Sequence, residues 1–299
     1  MSWIKKKMNR IFFENKNYFI LDGAMGTYLE KIGFKGITPE IANIEKREIV
    51  ERIHYEYCES GAEIILTNTF GANRNILKKK KLEDKFEKII KEGFYAAFKI
   101  KNEFKNVLIA GDIGPIGELI FPYGNIEPKE VEKIFYEVGK IFEETEVDFL
   151  VLETFQDLEE LKIAYTTLKE KTSFFIIPCL TFNSGKEFRT LMGQKIEDYI
   201  KWSYENKISI IGSNCGLNSE EMFEFVKIIR NLTDVDLWIK PNSGKPVIKN
   251  GKIEYKENME KFTENCFKMV KVGVKFIGGC CGTTPLYIKN LKDKLNESC

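Results

Sequence analysis

The sequence predicts the α/β class and, within it, a single (β/α)8 TIM barrel. Three observations carry that expectation. Eight short stretches rich in Val, Ile, Leu and Phe recur along the chain, each nearly continuous in hydrophobicity, as a parallel strand buried on both faces is. Segments of helical spacing lie between them. No Pro-, Gly- or Ser-rich linker interrupts the alternation, so the 299 residues are read as one domain, a size such barrels reach. A doubly wound open sheet is the second architecture that fits this alternation.

The elements follow in order. Residues 1–17 are read as an N-terminal extension: the opening MSWIKKKMNRIFFENKNYFI is basic and lacks the apolar run and cleavage site of a signal peptide. The strands are YFILDG from Tyr18, AEIILTNTF from Ala62, NVLIAGDIG from Asn106, VDFLVLETF from Val147, SFFIIPCLTF from Ser173, ISIIGSNCG from Ile208, VDLWIKPNSG from Val235 and VKFIGGCCG from Val274. Between them, helices are expected over 127–146, 158–171 and 259–272. Another starts at Asn218 or Ser219 as cap and aligns Met222, Phe225, Val226 and Ile229 on one stripe. The lone histidine, His54, falls in the helix after strand one and is read as a surface or helix-packing residue. The run Lys78 to Lys81 is read as a solvated helix end.

Composition narrows the function. Lys plus Arg (46) nearly balances Asp plus Glu (45), so no global field draws in nucleic acid or an anionic membrane. No segment approaches the roughly 20 apolar residues of a membrane span. The chain is therefore expected to be soluble and cytoplasmic, with a small-molecule substrate. Seven cysteines, an odd number, disfavour a disulfide framework and favour free thiols or metal ligands.

Polar and reactive residues cluster at the strand ends: Asp22-Gly23, Asn68-Thr69-Phe70, Gly111-Asp112, Glu153-Thr154, Asn214-Cys215-Gly216, Pro241-Asn242 and Cys280-Cys281. In a barrel these ends share one rim, the face that carries active sites. Cys215 ends strand six and the vicinal pair Cys280-Cys281 ends strand eight, with strand seven alone between them. Gly278, Gly279 and Gly282 free the backbone around the pair for unusual torsions. Three thiolates can then surround one ion; sulfur ligands and an open fourth position make zinc the candidate, in the catalytic pattern. The alternative is that cysteines are small buried hydrophobes near strand ends. That is the reading kept for Cys58, Cys179, Cys266 and Cys299.

The segments LDGAMGT from Leu21, LTNTFGAN from Leu66, GDIGP from Gly111, LETF from Leu152, NCG from Asn214, PNSGKP from Pro241 and GGCCGTTP from Gly278 together resemble the homocysteine S-methyltransferase family over essentially the whole chain. GDIGP and PNSGKP lean toward the N-terminal homocysteine-binding module of cobalamin-dependent methionine synthase. The resemblance implies a zinc-dependent S-methyltransferase of methionine biosynthesis, with zinc held by Cys215, Cys280 and Cys281, which are also the expected catalytic residues. Homocysteine's thiol would take the open position as a thiolate and attack an electrophilic methyl group. The turn from Asp22 to Thr27, including Gly23, Ala24 and Met25, would meet the substrate carboxylate with backbone N–H groups, and Glu153 would face its ammonium. Asn242 matches a position near the metal. Asn68, Thr69 and Phe70 are read as pocket wall or donor access, and Asp112 as a supporting acceptor.

The methyl donor is not legible. Either a small sulfonium or ammonium compound serves a free-standing enzyme, or a separate methylcobalamin-carrying protein serves one piece of a split methionine synthase. A non-catalytic zinc or thiol-binding barrel is the third reading, and Asp22-Gly23 with Glu153 argue against it.

Overall fold

The computed structural model describes Phe13 and residues 16–185, 187–249 and 252–297. Most of the segment read as an extension, and Cys299, lie outside the described residues.

Each of the eight apolar stretches holds one strand of a parallel sheet. The strands are β1 Phe19–Ile20, β2 Ile64–Leu66, β3 Leu108–Ile113, β4 Phe149–Phe155, β5 Ile176–Leu180, β6 Ile210–Asn218 and β7 Asp236–Asn242. A hairpin of β8 Pro246–Lys249 and β9 Lys252–Tyr255 comes next, and β10 Phe276–Ile277 completes the set. Their order is β1-β10-β7-β6-β5-β4-β3-β2. The ends join: Asp22 N–H donates to Ile64 O at 3.0 Å and Glu63 N–H to Ile20 O at 2.8 Å. The sheet is therefore a (β/α)8 barrel and not an open doubly wound sheet. Helices such as Arg47–Glu59, Phe86–Phe98 and Pro128–Glu143 intervene between successive strands.

The helix boundaries follow local chemistry. Asn218 Oδ1 accepts from Glu221 N at 2.9 Å while Glu221 Oε2 accepts from Asn218 N at 3.3 Å, a reciprocal cap that starts Ser219–Leu232. The stripe Met222, Phe225, Val226 and Ile229 is buried. The helix expected over 127–146 is Pro128–Glu143, because the Thr145 hydroxyl bonds back to Phe142 O at 2.7 Å and competes with a further turn. Met259–Lys271 stops one residue earlier than expected, where Gly273 at φ +97° supplies the left-handed turn. Lys78 and Lys81 are exposed at the end of Arg74–Lys79.

Alternation along the strands splits the core in two. Phe19, Leu21, Ile64, Leu66, Ala110, Phe149, Val151, Ile177, Cys179, Ile210, Trp238 and Phe276 fill the barrel interior. Their neighbours, such as Ile20, Ile65, Ile109, Leu150 and Ile211, pack outward against the helices. Phe13, from the segment read as an extension, belongs to the interior: its ring meets Phe276 edge-on at 5.0 Å and Phe19 and Phe149 at 5.6 Å. His54 is fully buried on its helix, and neither ring nitrogen has a hydrogen-bond partner among the described residues. Burial pushes its pKa down to about 3. The hairpin was not among the expected elements. Its β8 residues are all exposed, with Ile248 at 79%, so it has no buried face to impose a hydrophobic period.

Candidate active site

Two residues beyond Ala110, Val151 and Trp238, the same inward face of β3, β4 and β7 carries Asp112, Glu153 and Lys240. The barrel interior thus changes from apolar to charged at the C-terminal rim. There it opens into a cavity of about 590 Å³ whose wall includes the Asp22–Thr27 turn, Asn68, Phe70, those three residues and all of Cys215, Cys280 and Cys281.

The three sulfurs lie within 4.8 Å of one another, with Cys215 Sγ and Cys281 Sγ 4.0 Å apart. Strand seven alone separates their strands, as β10-β7-β6 in the sheet order shows. The unusual torsion that brings them together is only partly glycine's. Cys215 itself has φ +57°, followed by Gly216 at +66°, and Gly282 has +82°. Gly278 and Gly279 are not left-handed; they are needed for close approach. A Cβ on Gly278 would lie 2.6 Å from Asp22 O, and one on Gly279 2.5 Å from Thr283 Oγ1. This corrects the expectation that Gly278 and Gly279 supply the torsion.

Without a cation such a cluster cannot hold three negative charges. Hydrogen bonding from Cys280, then from Cys281, pulls Cys215 down to about 3. The hydrogen bond to Cys215 in turn pushes Cys280 up to about 12, and the same partner raises Cys281. One thiolate held by two thiols is a donor set short of a positive charge. Cys58, Cys179 and Cys266 are free and buried away from the cluster.

Opposite the sulfurs sits a group of buried charges. Lys240 Nζ lies 2.9 Å from Asp22 Oδ1 and 3.2 Å from Glu153 Oε1, with its side chain 3% exposed. Asp22 Oδ2 also accepts from Leu66 N at 2.7 Å. Burial raises all three carboxyls against the pull of Lys240: Asp22 upward, Glu153 to about 7, and Asp112 well above the carboxylate range. Asp112 Oδ1 has no hydrogen-bond partner among the described residues, which favours its neutral form. Despite desolvation, the paired carboxylates keep Lys240 charged by raising its pKa.

Most of the expected residues converge here, with some in other roles. Gly23 and Met25 line the cavity. Ala24 lines it too, but its N–H is given to Thr283 Oγ1 at 3.1 Å. Asn68 is on the wall with its amide spent on Pro39 O at 2.9 Å and Asn43 Oδ1 at 2.8 Å. Thr69 is not on the wall; its hydroxyl donates to Asp112 O at 2.7 Å. Asn242 is buried beside the cysteines, where its side chain helps to lower the Cys215 pKa. Trp238 is core, and Tyr123 is exposed. Lys240 was not singled out from sequence, where a lone Lys inside WIKPN was the available signal. Thr154 was named only among the strand-end residues, and nothing in the sequence marked its φ of +60°.

The family model described as homocysteine S-methyltransferase matches residues 19–295. The chain belongs to the homocysteine S-methyltransferase family. Within curated proteins it is 28% identical over 285 residues to a methionine synthase of Mycobacterium leprae, a match covering 90% of this chain and 24% of that protein. A methionine synthase of Mycobacterium tuberculosis matches at 27% over the same length. The chain spans about a quarter of the length of these relatives. Among solved structures, the metallated form of the homocysteine methyltransferase MmuM from Escherichia coli shares the fold, with a TM-score of 0.79 at 19% identity over 95% of this chain and 99% of that one. Its apo form matches with a TM-score of 0.73. No helix among the described residues is long and apolar enough to cross a membrane.

Proposed function

We propose that this chain, read as one homocysteine-binding barrel domain over 1–299, is a zinc-dependent S-methyltransferase that converts homocysteine to methionine. The observation that carries the reading is three sulfurs within 4.8 Å on the wall of a cavity that also holds an ionised carboxylate–lysine group.

The donor set fits zinc. Zinc–sulfur bonds of about 2.3 Å in a tetrahedron ask for sulfurs about 3.8 Å apart, close to the 4.0 Å of Cys215 and Cys281. Cys215, Cys280 and Cys281 would hold the ion, with Asn242 beside Cys215. Bound there, zinc supplies a Lewis acid that lowers the pKa of an incoming thiol from its ordinary value of about 8.5. A cytoplasmic setting, where thiols stay reduced, suits three free cysteines.

The chain's own residues orient the amino acid. Asp22 and Glu153 against Lys240 leave one negative charge while Asp112 is neutral, so the pocket has room for one ammonium, and Glu153 is its partner. Lys240 offsets part of the burial that raises Glu153, so its carboxyl is ionised above about pH 7. The substrate carboxylate falls to N–H groups of the Asp22–Thr27 turn, those of Gly23 and Met25 in particular, since Ala24 is already engaged. Held at both ends, the substrate's sulfur is fixed at the thiol cluster, and effective concentration replaces a chance encounter.

The donor divides the reading. A small sulfonium or ammonium compound is one source of the methyl; the likeness to methionine synthases favours a methylcobalamin-carrying protein as the second. The test is methionine formation from homocysteine by zinc-loaded protein with S-methylmethionine, betaine, S-adenosylmethionine or methylcobalamin, beside metal analysis. About one zinc per chain and turnover with at least one donor is the expected result. A metal-free protein that neither binds homocysteine nor forms methionine would overturn it.

A further inference from the structure

Asn214 stands immediately before Cys215 and is fully buried. Its carboxamide reaches past β5 to the end of β4 and past β7 to the turn after β10. Oδ1 accepts from Thr154 N at 2.9 Å, and Nδ2 donates to Thr154 Oγ1 at 2.6 Å. The same Nδ2 reaches Cys280 Sγ at 3.7 Å, within range for an N–H···S hydrogen bond. Its backbone is fixed as well, because Thr181 Oγ1 donates to Asn214 O at 2.9 Å.

Two of the chain's left-handed non-glycine residues, Thr154 at φ +60° and Cys215 at φ +57°, are thus the partner and the neighbour of this one side chain. Both strands depart from regular register at these points, β4 between Leu152 and Phe155 and β6 between Asn214 and Asn218. A left-handed β-branched residue is costly and persists only where surroundings over-determine it. The paired hydrogen bonds from Asn214 do so for Thr154.

We propose that Asn214 is a positioning residue that couples the carboxylate wall to the thiol cluster: one arm fixes the Glu153-Thr154 turn, and the other donates to Cys280 Sγ and aims that sulfur at the metal. The inference rests on the reading of Cys215, Cys280 and Cys281 as metal ligands. Asparagine suits the task because its amide offers a donor to a thiolate and an acceptor to a backbone N–H, with no charge of its own to desolvate. Removing such a supporting hydrogen bond costs about 10–100-fold in metal affinity where it has been measured.

Asn214→Asp separates the two arms. The carboxylate still accepts from Thr154 N–H and from its hydroxyl, but it has no N–H for Cys280 and sets a negative charge beside the sulfur. The expected result is a folded protein, by circular dichroism, whose zinc Kd in competition with a chromophoric chelator is raised about 10–100-fold. Thr154→Val weakens the other arm, removing the hydroxyl that accepts from Nδ2 and leaving the backbone N–H bond to Oδ1; it should raise the KM for homocysteine several-fold while zinc affinity stays within about threefold. A merely structural role would lower the melting temperature of both variants and leave zinc affinity alone, and a zinc Kd for Asn214→Asp within twofold of wild type overturns the proposal. Should that variant not fold, wild-type protein loaded with ¹¹³Cd decides: scalar coupling between the metal and the Asn214 side-chain amide protons is expected through the sulfur, and its absence overturns the assignment. A wild-type chain that binds neither zinc nor cadmium overturns the metal reading itself, an outcome distinct from binding that is insensitive to Asn214.

Discussion

The two ends of the barrel interior are built from the same strands to opposite ends. At the lower end, Phe13, Phe19, Phe149, Trp238 and Phe276 stack and meet edge-on with ring centroids 5.0–6.1 Å apart. Four residues beyond Phe149 on β4 and two beyond Trp238 on β7, the same inward face carries Glu153 and Lys240, then strained backbone and three thiols. Glu153 and Lys240 are buried, as the aromatic residues below are. What differs is what burial does: below, it removes apolar area from water at roughly 25 cal/mol per Å², and above, it shifts titrations and leaves polar atoms such as Asp112 Oδ1 and Asn242 Oδ1 without partners. The lower end holds the fold, and the upper end spends part of that stability on chemistry.

That division predicts separable phenotypes. The largest effect is expected below: Phe149→Ala should destabilise by about 3–5 kcal/mol, as loss of a buried aromatic ring does, while the folded fraction keeps its metal stoichiometry. Denaturant melts beside metal analysis check it, and lost metal in still-folded protein would break the comparison. Above, Cys280→Ser should weaken zinc binding by more than about 100-fold, with methyl transfer lost and the melting temperature of metal-free protein little changed.

A smaller effect should come from Glu153→Gln. It removes the partner of the substrate ammonium and should raise the Kd for homocysteine about 10-fold, the worth of a hydrogen bond to a charged group, with zinc retained. In the wild type, Glu153 is ionised above about pH 7 and protonated below it, so calorimetric affinity should fall as pH drops from 8 to 6, and the variant should lose that dependence.

The smallest lies outside both ends. His54 is neutral in the fold down to about pH 3, whereas its ordinary value is 6.5. The unfolded chain therefore takes up a proton below 6.5 that the folded chain refuses. Stability from this group is whole above pH 6.5 and declines as pH falls toward 3. Near pH 5.5 the loss is about 1 kcal/mol, and His54→Leu should shrink the drop in melting temperature between pH 7.5 and 5.5.

Much of this was legible in the linear chain. The eight apolar stretches, the Asn218 cap and the polar residues at strand ends are local signals: each needs only the period of its own segment or the chemistry of a few neighbours. The cysteines were legible because a parallel barrel sends the C-terminal end of every strand to one rim, so Cys215 and the Cys280-Cys281 pair could be brought together once the strands had been counted. The hairpin was not legible, since an exposed ribbon imposes no buried period. Nor could sequence tell that Thr69 turns from the cavity while Asn68 faces it, for they differ only by one step of backbone.

The eight strands, the barrel as the leading architecture and the candidate ligands were therefore legible in the sequence, through interactions a few residues long. Tertiary structure alone decided that Lys240 stands between Asp22 and Glu153, that Phe13 fills the lower interior, and that Asn214 reaches both Thr154 and Cys280. Those outcomes depend on register and tilt between strands whose residues are dozens to hundreds of positions apart. No local pattern encodes them; they are fixed when the closed barrel sets which inward side chains share a layer.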